Sequence, residues 1–256
     1  YLLRKEKNNF MIALITRWAE GILQKKADLF TAVSEADAHN LKRIYGADPL
    51  LLPNGVNDGS FDSVTDEQIR GLRIKYDLGG RIILFMGLPS FKPNKEAIQF
   101  LIDDVMPLLT ARCPDVKLAI IGGEVKHTRE WLITPGNIPF EDVPIFIKSC
   151  DICVAPIFSG SGTRLKILEY MAAGKPVVSS TKGAEGIGVI DGINILISDT
   201  SDGFIEKILY LFENPDFGVN IGSEGRKMVK ARYSWQKIMQ DFNGILNASF
   251  NIQMGQ

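Results

Sequence analysis

Four strand-like runs, Ile82 to Met86, Lys117 to Ile121, Ile152 to Ala155 and Val177 to Ser179, recur along the chain with helical patterns between them. Most of their residues are continuously apolar rather than alternating, the pattern of strands covered on both faces. Strands that alternate with helices in this way specify an α/β fold with a doubly wound, parallel, Rossmann-like sheet. Ligands of such sheets bind beyond the carboxyl ends of the strands, where loops enter helices. The loops after these four runs are therefore where chemistry is expected.

The periodicity places a helix near Asn94 to Ala111, a short strand near Asn137 to Phe140, a helix through Phe146, a strand over Ile193 to Ile197 and helices from Asp202 onward. Before the sheet pattern the chain reads differently. Apolar residues at 11, 14, 15, 18 and 22 have helical spacing, Ala27 to Ser34 reads as a short strand, and Glu35 to Tyr45 as a helix between a Ser34 cap and Gly46. Leu50-Leu51-Leu52-Pro53-Asn54-Gly55-Val56 runs into a turn, and a short helix covers Asp66 to Asp77. The expected division is 1–49 as one part, 50–80 as linker and lead-in, 81–232 as the sheet domain, and 233–256 as a helix returning toward the N-terminal part.

Composition removes several classes of partner. Lys plus Arg (29) balances Asp plus Glu (30) among 256 residues, so no global field draws the chain to nucleic acid. No stretch reaches the ~20 apolar residues of a membrane span. Cys150 and Cys153 have Cys-x-x-Cys spacing but lack a second pair or nearby histidines, and Ile152-Cys153-Val154-Ala155 reads as core strand. Reduced thiols suit a cytoplasmic protein. Residues 1–26 combine a basic start with the apolar stripe and read as a self-associating surface, a helix packed on its own domain, or a peripheral membrane contact.

The loop after the third run, SGSGTRLKILEYMAAGK, joins glycines to an amphipathic helix. Gly160 and Gly162 permit close backbone approach, and the first amides of a helix favour an anion such as phosphate. Leu165 stands where the dinucleotide fingerprint needs its third glycine, and no Gly-Lys-Ser/Thr ending makes it a Walker loop. Lys166 and Glu169, three apart, share a helix face, while Leu165, Leu168 and Ala172 form the stripe toward the sheet. Arg164 and Lys166 oppose the helix dipole unless an external anion compensates them. His39 and His127 read as surface residues.

These motifs in order, LLPNGV, FMGLPSFKPNKEA, CDICVAPIF, SGTRLKILEYMAAGKPVVSS and KGAEGI, resemble a retaining nucleotide-sugar glycosyltransferase of family 4 with the B-type fold, truncated at the N-terminus. The resemblance runs from about Ala27 to Tyr233-Ser234-Trp235. It implies two facing Rossmann-like domains, with the donor bound mainly to the C-terminal one and most of the acceptor-side domain preceding Tyr1.

Carried over, the backbone of Ser161, Gly162 and Thr163 would meet the diphosphate, with Arg164 and Lys166 as the catalytic cations. Glu169 would accept hydrogen bonds from the ribose. The base would lie near Asn137 to Phe140, against Ile138 and Phe140, and Gly87, Lys92 and Asn94 would border the phosphates. Ser161 stands where the family's first paired glutamate falls, and Leu88 where an arginine often follows the first-strand glycine.

The resemblance thus implies a sugar transferase of polysaccharide or glycoconjugate biosynthesis. It would take a nucleotide-diphosphate sugar as substrate, a glycan, lipid or small molecule as acceptor, and no metal or other cofactor. A non-catalytic nucleotide-binding or scaffold module is the alternative, and the failed glycine fingerprint counts against a nicotinamide-dependent dehydrogenase.

Overall fold

The computed structural model describes residues 10–27, 29–160 and 162–254, with side chains from Ile15 to Asn247 apart from 28 and 161. It divides into two compact units. One holds the described residues up to Asn54 with Gly162 and Thr163; the other holds Gly55 to Gly160 and the chain from Arg164 onward.

In the first unit, helices α1 (Phe10–Lys26) and α2 (Glu35–Tyr45) accompany two short strands, β1 (Thr31–Ala32) and β2 (Leu50–Leu51). Ser34 caps α2 by accepting from the Asp37 amide at 3.1 Å, and Gly46 closes it at φ 68°. The strands pair in parallel, Thr31 opposite Leu50. The Tyr45 hydroxyl donates to Glu20 of α1 at 2.5 Å, and burial, with that carboxylate, pushes its pKa up to about 12. Within the expected apolar stripe Ile15 and Trp18 are exposed, while the side chains of Met11 and Leu14 lie outside the described residues.

The second unit starts with α3 (Gly59–Asp62) and α4 (Asp66–Lys75) and then alternates. Its strands are β3 (Arg81–Met86), β4 (Val116–Ile121), β5 (Leu132–Gly136), β6 (Ile152–Ala155), β7 (Val177–Ser179) and β8 (Leu196–Ile197). Helices α5 (Lys92–Phe100) and α6 (Met106–Arg112) follow β3, α7 (Val143–Ser149) follows β5, and α8 (Leu165–Ala172) follows β6. After β8 come α9 (Ser201–Glu213), α10 (Pro215–Arg232) and α11 (Trp235–Met254).

The strands form one parallel sheet of order β5-β4-β3-β6-β7-β8, so the direction of winding reverses between β3 and β6. Both faces are covered. Ile82 and Leu84 of β3 point into a core shared with α4, α7 and α8, whereas Ile83 and Phe85 point into a second core with α5, α6 and α9. Cys150 and Cys153 are free, buried thiols in the first of these cores, and burial pushes both up.

Four expectations change in detail. The strand expected at Asn137 to Phe140 lies earlier, at Leu132–Gly136, and Phe140–Asp142 is a 3₁₀ turn. Pro135 is tolerated there because β5 is an edge strand with a free side. The single helix expected over Asn94 to Ala111 contains a π turn, Leu101–Val105, in which the Met106 amide bonds the Leu101 carbonyl. Pro107 has no amide to continue the ordinary ladder, so the turn absorbs it. The strand at Ile193 shortens to Leu196–Ile197, and Leu165, the first residue of α8, is exposed rather than on the sheet-facing stripe. Ile167, Leu168, Met171 and Ala172 cover the sheet instead.

Val56 sits beside Tyr233 and Trp235, its amide bonding the Tyr233 carbonyl at 2.8 Å and its carbonyl accepting from the Trp235 amide at 3.2 Å. Gly55 is required there by contact, since an added Cβ would fall 2.6 Å from the Trp235 ring.

Candidate functional site

The loops after β3 and β6 meet at the reversal of strand order, the place where open parallel sheets leave a crevice. Three expected residues converge there. Lys166, in the first turn of α8, donates from Nζ to Asn94 Oδ1 at 2.7 Å and lies 4.2 Å from the centre of the Phe85 ring. Asn94, in the first turn of α5, is buried and donates from Nδ2 to the Leu88 carbonyl at 3.1 Å. Beneath them is Gly87, where an added Cβ would stand 2.7 Å from Asn94 Nδ2 and 2.8 Å from Lys166 Nζ. The end of β3 is itself pinned to α8, since the Met86 amide donates to the buried Tyr170 hydroxyl at 2.7 Å.

Arg164 is not in the helix, as the sequence spacing implied, but at its N-cap with non-helical dihedrals, because α8 begins one residue later. Its side chain is buried, and Nη2 donates to the Ser159 carbonyl at 3.1 Å. Gly160 has φ 89° and packs against Pro93 and Arg164, so both the dihedral and the space call for glycine. Gly162 also has positive φ, at 86°. With Thr163 it groups with the first unit, and Thr163 Oγ1 is buried without a hydrogen-bond partner among the described residues. Ser161 lies outside the described residues. Lys92 is turned to the surface, its Nζ 3.9 Å from Glu96.

Burial and crowding set the electrostatics. Desolvation, then the neighbouring Arg164 charge, brings the Lys166 pKa down to about 7 against an opposing pull from Glu169. Arg164 is lowered by desolvation and opposed by Glu185; Glu169 is raised by desolvation and opposed by Lys166. Two cations share one low-dielectric corner, a place where an anion gains and a further cation loses.

Glu169 also lines a cavity of about 460 Å³, with Phe140, Glu141, Ser60, Asn57 and Trp235. The structure thus joins Phe140 to Glu169 as expected, whereas Ile138 packs against the core. Asn57, Ser60 and Trp235 were missed. Their only local signal was the Asn54-Gly55 turn, since lining residues as distant in sequence as Asn57 and Trp235 share no local pattern. No cluster of three or more His, Cys, Asp or Glu residues that could hold a metal ion occurs among the described residues.

Residues 80–214, more than half of the chain, match the family described as Glycosyl transferases group 1. The chain belongs to the group 1 glycosyltransferases. It is 24% identical over 241 residues to a GDP-mannose-dependent monoacylated alpha-(1-6)-phosphatidylinositol monomannoside mannosyltransferase of Corynebacterium glutamicum, covering 87% of this chain and 63% of that protein. It is 27% identical over 237 residues to a phosphatidyl-myo-inositol mannosyltransferase of Mycolicibacterium smegmatis, covering 87% and 59%.

Among solved structures, this group 1 chain superposes on Anabaena Alr3699/HepE in complex with UDP and glucose with a TM-score of 0.72 at 19% identity, over 86% of this chain and 63% of that one. The sucrose-phosphate synthase of Thermosynechococcus elongatus gives 0.72 at 20%, over 92% and 62%. The fold is therefore that of the B-type glycosyltransferases. The chain spans less than two thirds of the length of these relatives.

Proposed function

We propose that the chain is the donor-binding part of a retaining glycosyltransferase that moves a sugar from a nucleotide-diphosphate sugar to an acceptor hydroxyl on a glycan, lipid or small molecule. The observation that carries this reading is the Lys166 ammonium held over Gly87 at the switch point, beside Arg164 and one helical turn from Glu169 in the adjoining cavity. The diphosphate takes the cationic corner, the ribose bonds to the Glu169 carboxylate, and the base lies along Phe140.

The acceptor hydroxyl attacks the anomeric carbon on the face from which the diphosphate departs and passes its proton to the departing phosphate oxygen, so the bond formed replaces the bond broken on one face and configuration is retained. As the carbon–oxygen bond to the diphosphate breaks, negative charge grows on the leaving oxygens, and Lys166 and Arg164 stabilise it from fixed positions. No metal is assigned a role. The reaction takes place at the cytoplasmic side of a cell, in solution or at a membrane surface. These 256 residues, which span less than two thirds of their relatives' length, bind the donor without transferring it, because transfer needs both reactants held in near-attack geometry, a contribution of roughly 7 to 11 kcal/mol in well-oriented systems.

Calorimetric titration with GDP, UDP, ADP, their hexose conjugates and NAD tests the reading. Relatives named for GDP-mannose and structures solved with UDP make both bases necessary arms. Saturable binding of one nucleoside diphosphate, with NAD inert, is the expected result. Binding of NAD alone, or of none of them, overturns it.

A further inference from the structure

The family resemblance implied that Asn94 borders the phosphates as a ligand-binding residue, but in the structure both ends of its amide are already engaged. Nδ2 is 3.1 Å from the Leu88 carbonyl, and Oδ1 accepts from Lys166 Nζ at 2.7 Å. The assignment of oxygen and nitrogen follows from chemistry. The flipped amide would set NH₂ against an ammonium and oxygen against a carbonyl, two repulsions in place of two bonds. Asn94 is buried, so neither bond is readily replaced by water.

Lys166 reaches this amide from the opposite layer. Its helix packs in the core that includes Leu84, whereas α5, which carries Asn94, packs in the core that includes Phe85. The side chain therefore passes over the strand ends, and its ammonium comes to rest between the Phe85 ring and the amide oxygen. Both partners are formally neutral. They fix the position of the cation and leave its charge, and the further donors of a group that has three, for something else.

We propose that Asn94 is the positioning residue of this site, a neutral clamp that aims the Lys166 ammonium over Gly87 without cancelling its charge. The inference deepens the donor-binding reading and rests on it only for the identity of the ligand. An aspartate at this position would hold the lysine equally well and neutralise it. An alanine would leave its charge and lose its aim. Arg164 and Glu169 are the other charged groups that act on Lys166, and neither variant alters them.

The test uses both variants and two readouts. In the ligand-free protein, the ε-protons of Lys166, whose Nζ lies 4.2 Å from the centre of the Phe85 ring, are expected to be shifted upfield by its ring current, which proton–carbon NMR of labelled lysine follows. Asn94→Ala is expected to collapse that shift toward the free-lysine value. Asn94→Asp is expected to keep it and to raise the lysine's titration midpoint by a unit or more. Both variants lose the donor to Leu88, so loss of that bond is common to them and does not account for the difference.

In calorimetry with GDP and UDP, the order reverses. Asn94→Ala is expected to weaken binding roughly tenfold and Asp by more, since the aspartate also repels the phosphates. An upfield shift that survives in Asn94→Ala, with affinity within twofold of the parent, overturns the proposal and leaves Phe85 and α8 as sufficient. Should Asn94→Ala not fold, Asn94→Asp decides: an unmoved titration midpoint sinks the clamp. If the parent binds neither nucleotide, the functional reading fails, while the NMR arm still decides the role of Asn94.

Discussion

A methyl group added at Gly87 would fall inside the contact radii of Lys166 Nζ and the Asn94 amide, so Gly87→Ala must push both side chains from their places. The expected outcome is a loss of nucleotide-diphosphate affinity of roughly tenfold or more, with a folded protein by circular dichroism. A second comparison separates the two halves of the site. Lys166→Ala is expected to weaken diphosphate binding more than monophosphate binding, and Glu169→Ala to weaken both evenly, each by roughly tenfold to a hundredfold. Equal affinities for all three proteins, with unchanged melting, would reduce the loop to a tight turn. Lys166 and Glu169 were legible because three-residue spacing on a helix after a buried strand is local information. The displacement of Arg164 to the cap was not, since helix onset shifts by a residue with no change in pattern. The use made of Asn94 was not legible either, because its partner is 72 positions away.

At the scale of elements, the join between β3 and α8 depends on one phenol. Tyr170 is fully buried, and its oxygen accepts the Met86 amide. Tyr170→Phe keeps the volume and strands that amide, at an expected cost of about 1 to 3 kcal/mol in chemical denaturation. A loss below ~0.5 kcal/mol would mean that the amide finds another acceptor. The parallel sheet itself was readable from β3, β4, β6 and β7, because these short apolar runs alternate with helical patterns along the chain. The edge was harder. In β5 the residues Thr134-Pro135-Gly136 carry turn chemistry, and only the free side of an edge strand makes them acceptable in a sheet. The π turn in the α5–α6 run was equally hidden, because it changes the hydrogen-bond ladder without interrupting the apolar spacing.

For the whole molecule, the depressed Lys166 pKa gives a pH signature whose two parts have opposite signs. The folded chain gives up this proton near pH 7, while the unfolded chain keeps it until the ordinary lysine range. Between those limits the unfolded state binds more protons, so this group's contribution to ligand-free stability rises with pH. A bound diphosphate favours the charged lysine, so affinity falls as pH rises through the same window. Titrations at pH 8 in buffers of different ionisation enthalpy should reveal net proton uptake by the parent and less by Lys166→Ala; observed heats of the parent that do not vary with the buffer's ionisation enthalpy would contradict the assignment. The reversal of strand order has a further consequence, for the way the molecule comes into being. Gly87 and Asn94 leave the ribosome with β3 and α5, Arg164 and Lys166 only after β4, β5, α7 and β6 have followed, and the two sets meet when β6 pairs with β3. No chain interrupted before α8 can possess the corner. On the proposed reading, a nucleotide at about a hundred times its dissociation constant would add ~2.7 kcal/mol to a chain folded through α8 and nothing to shorter ones. If the corner holds the proposed donor, that ligand would favour chains that have reached α8 over shorter ones.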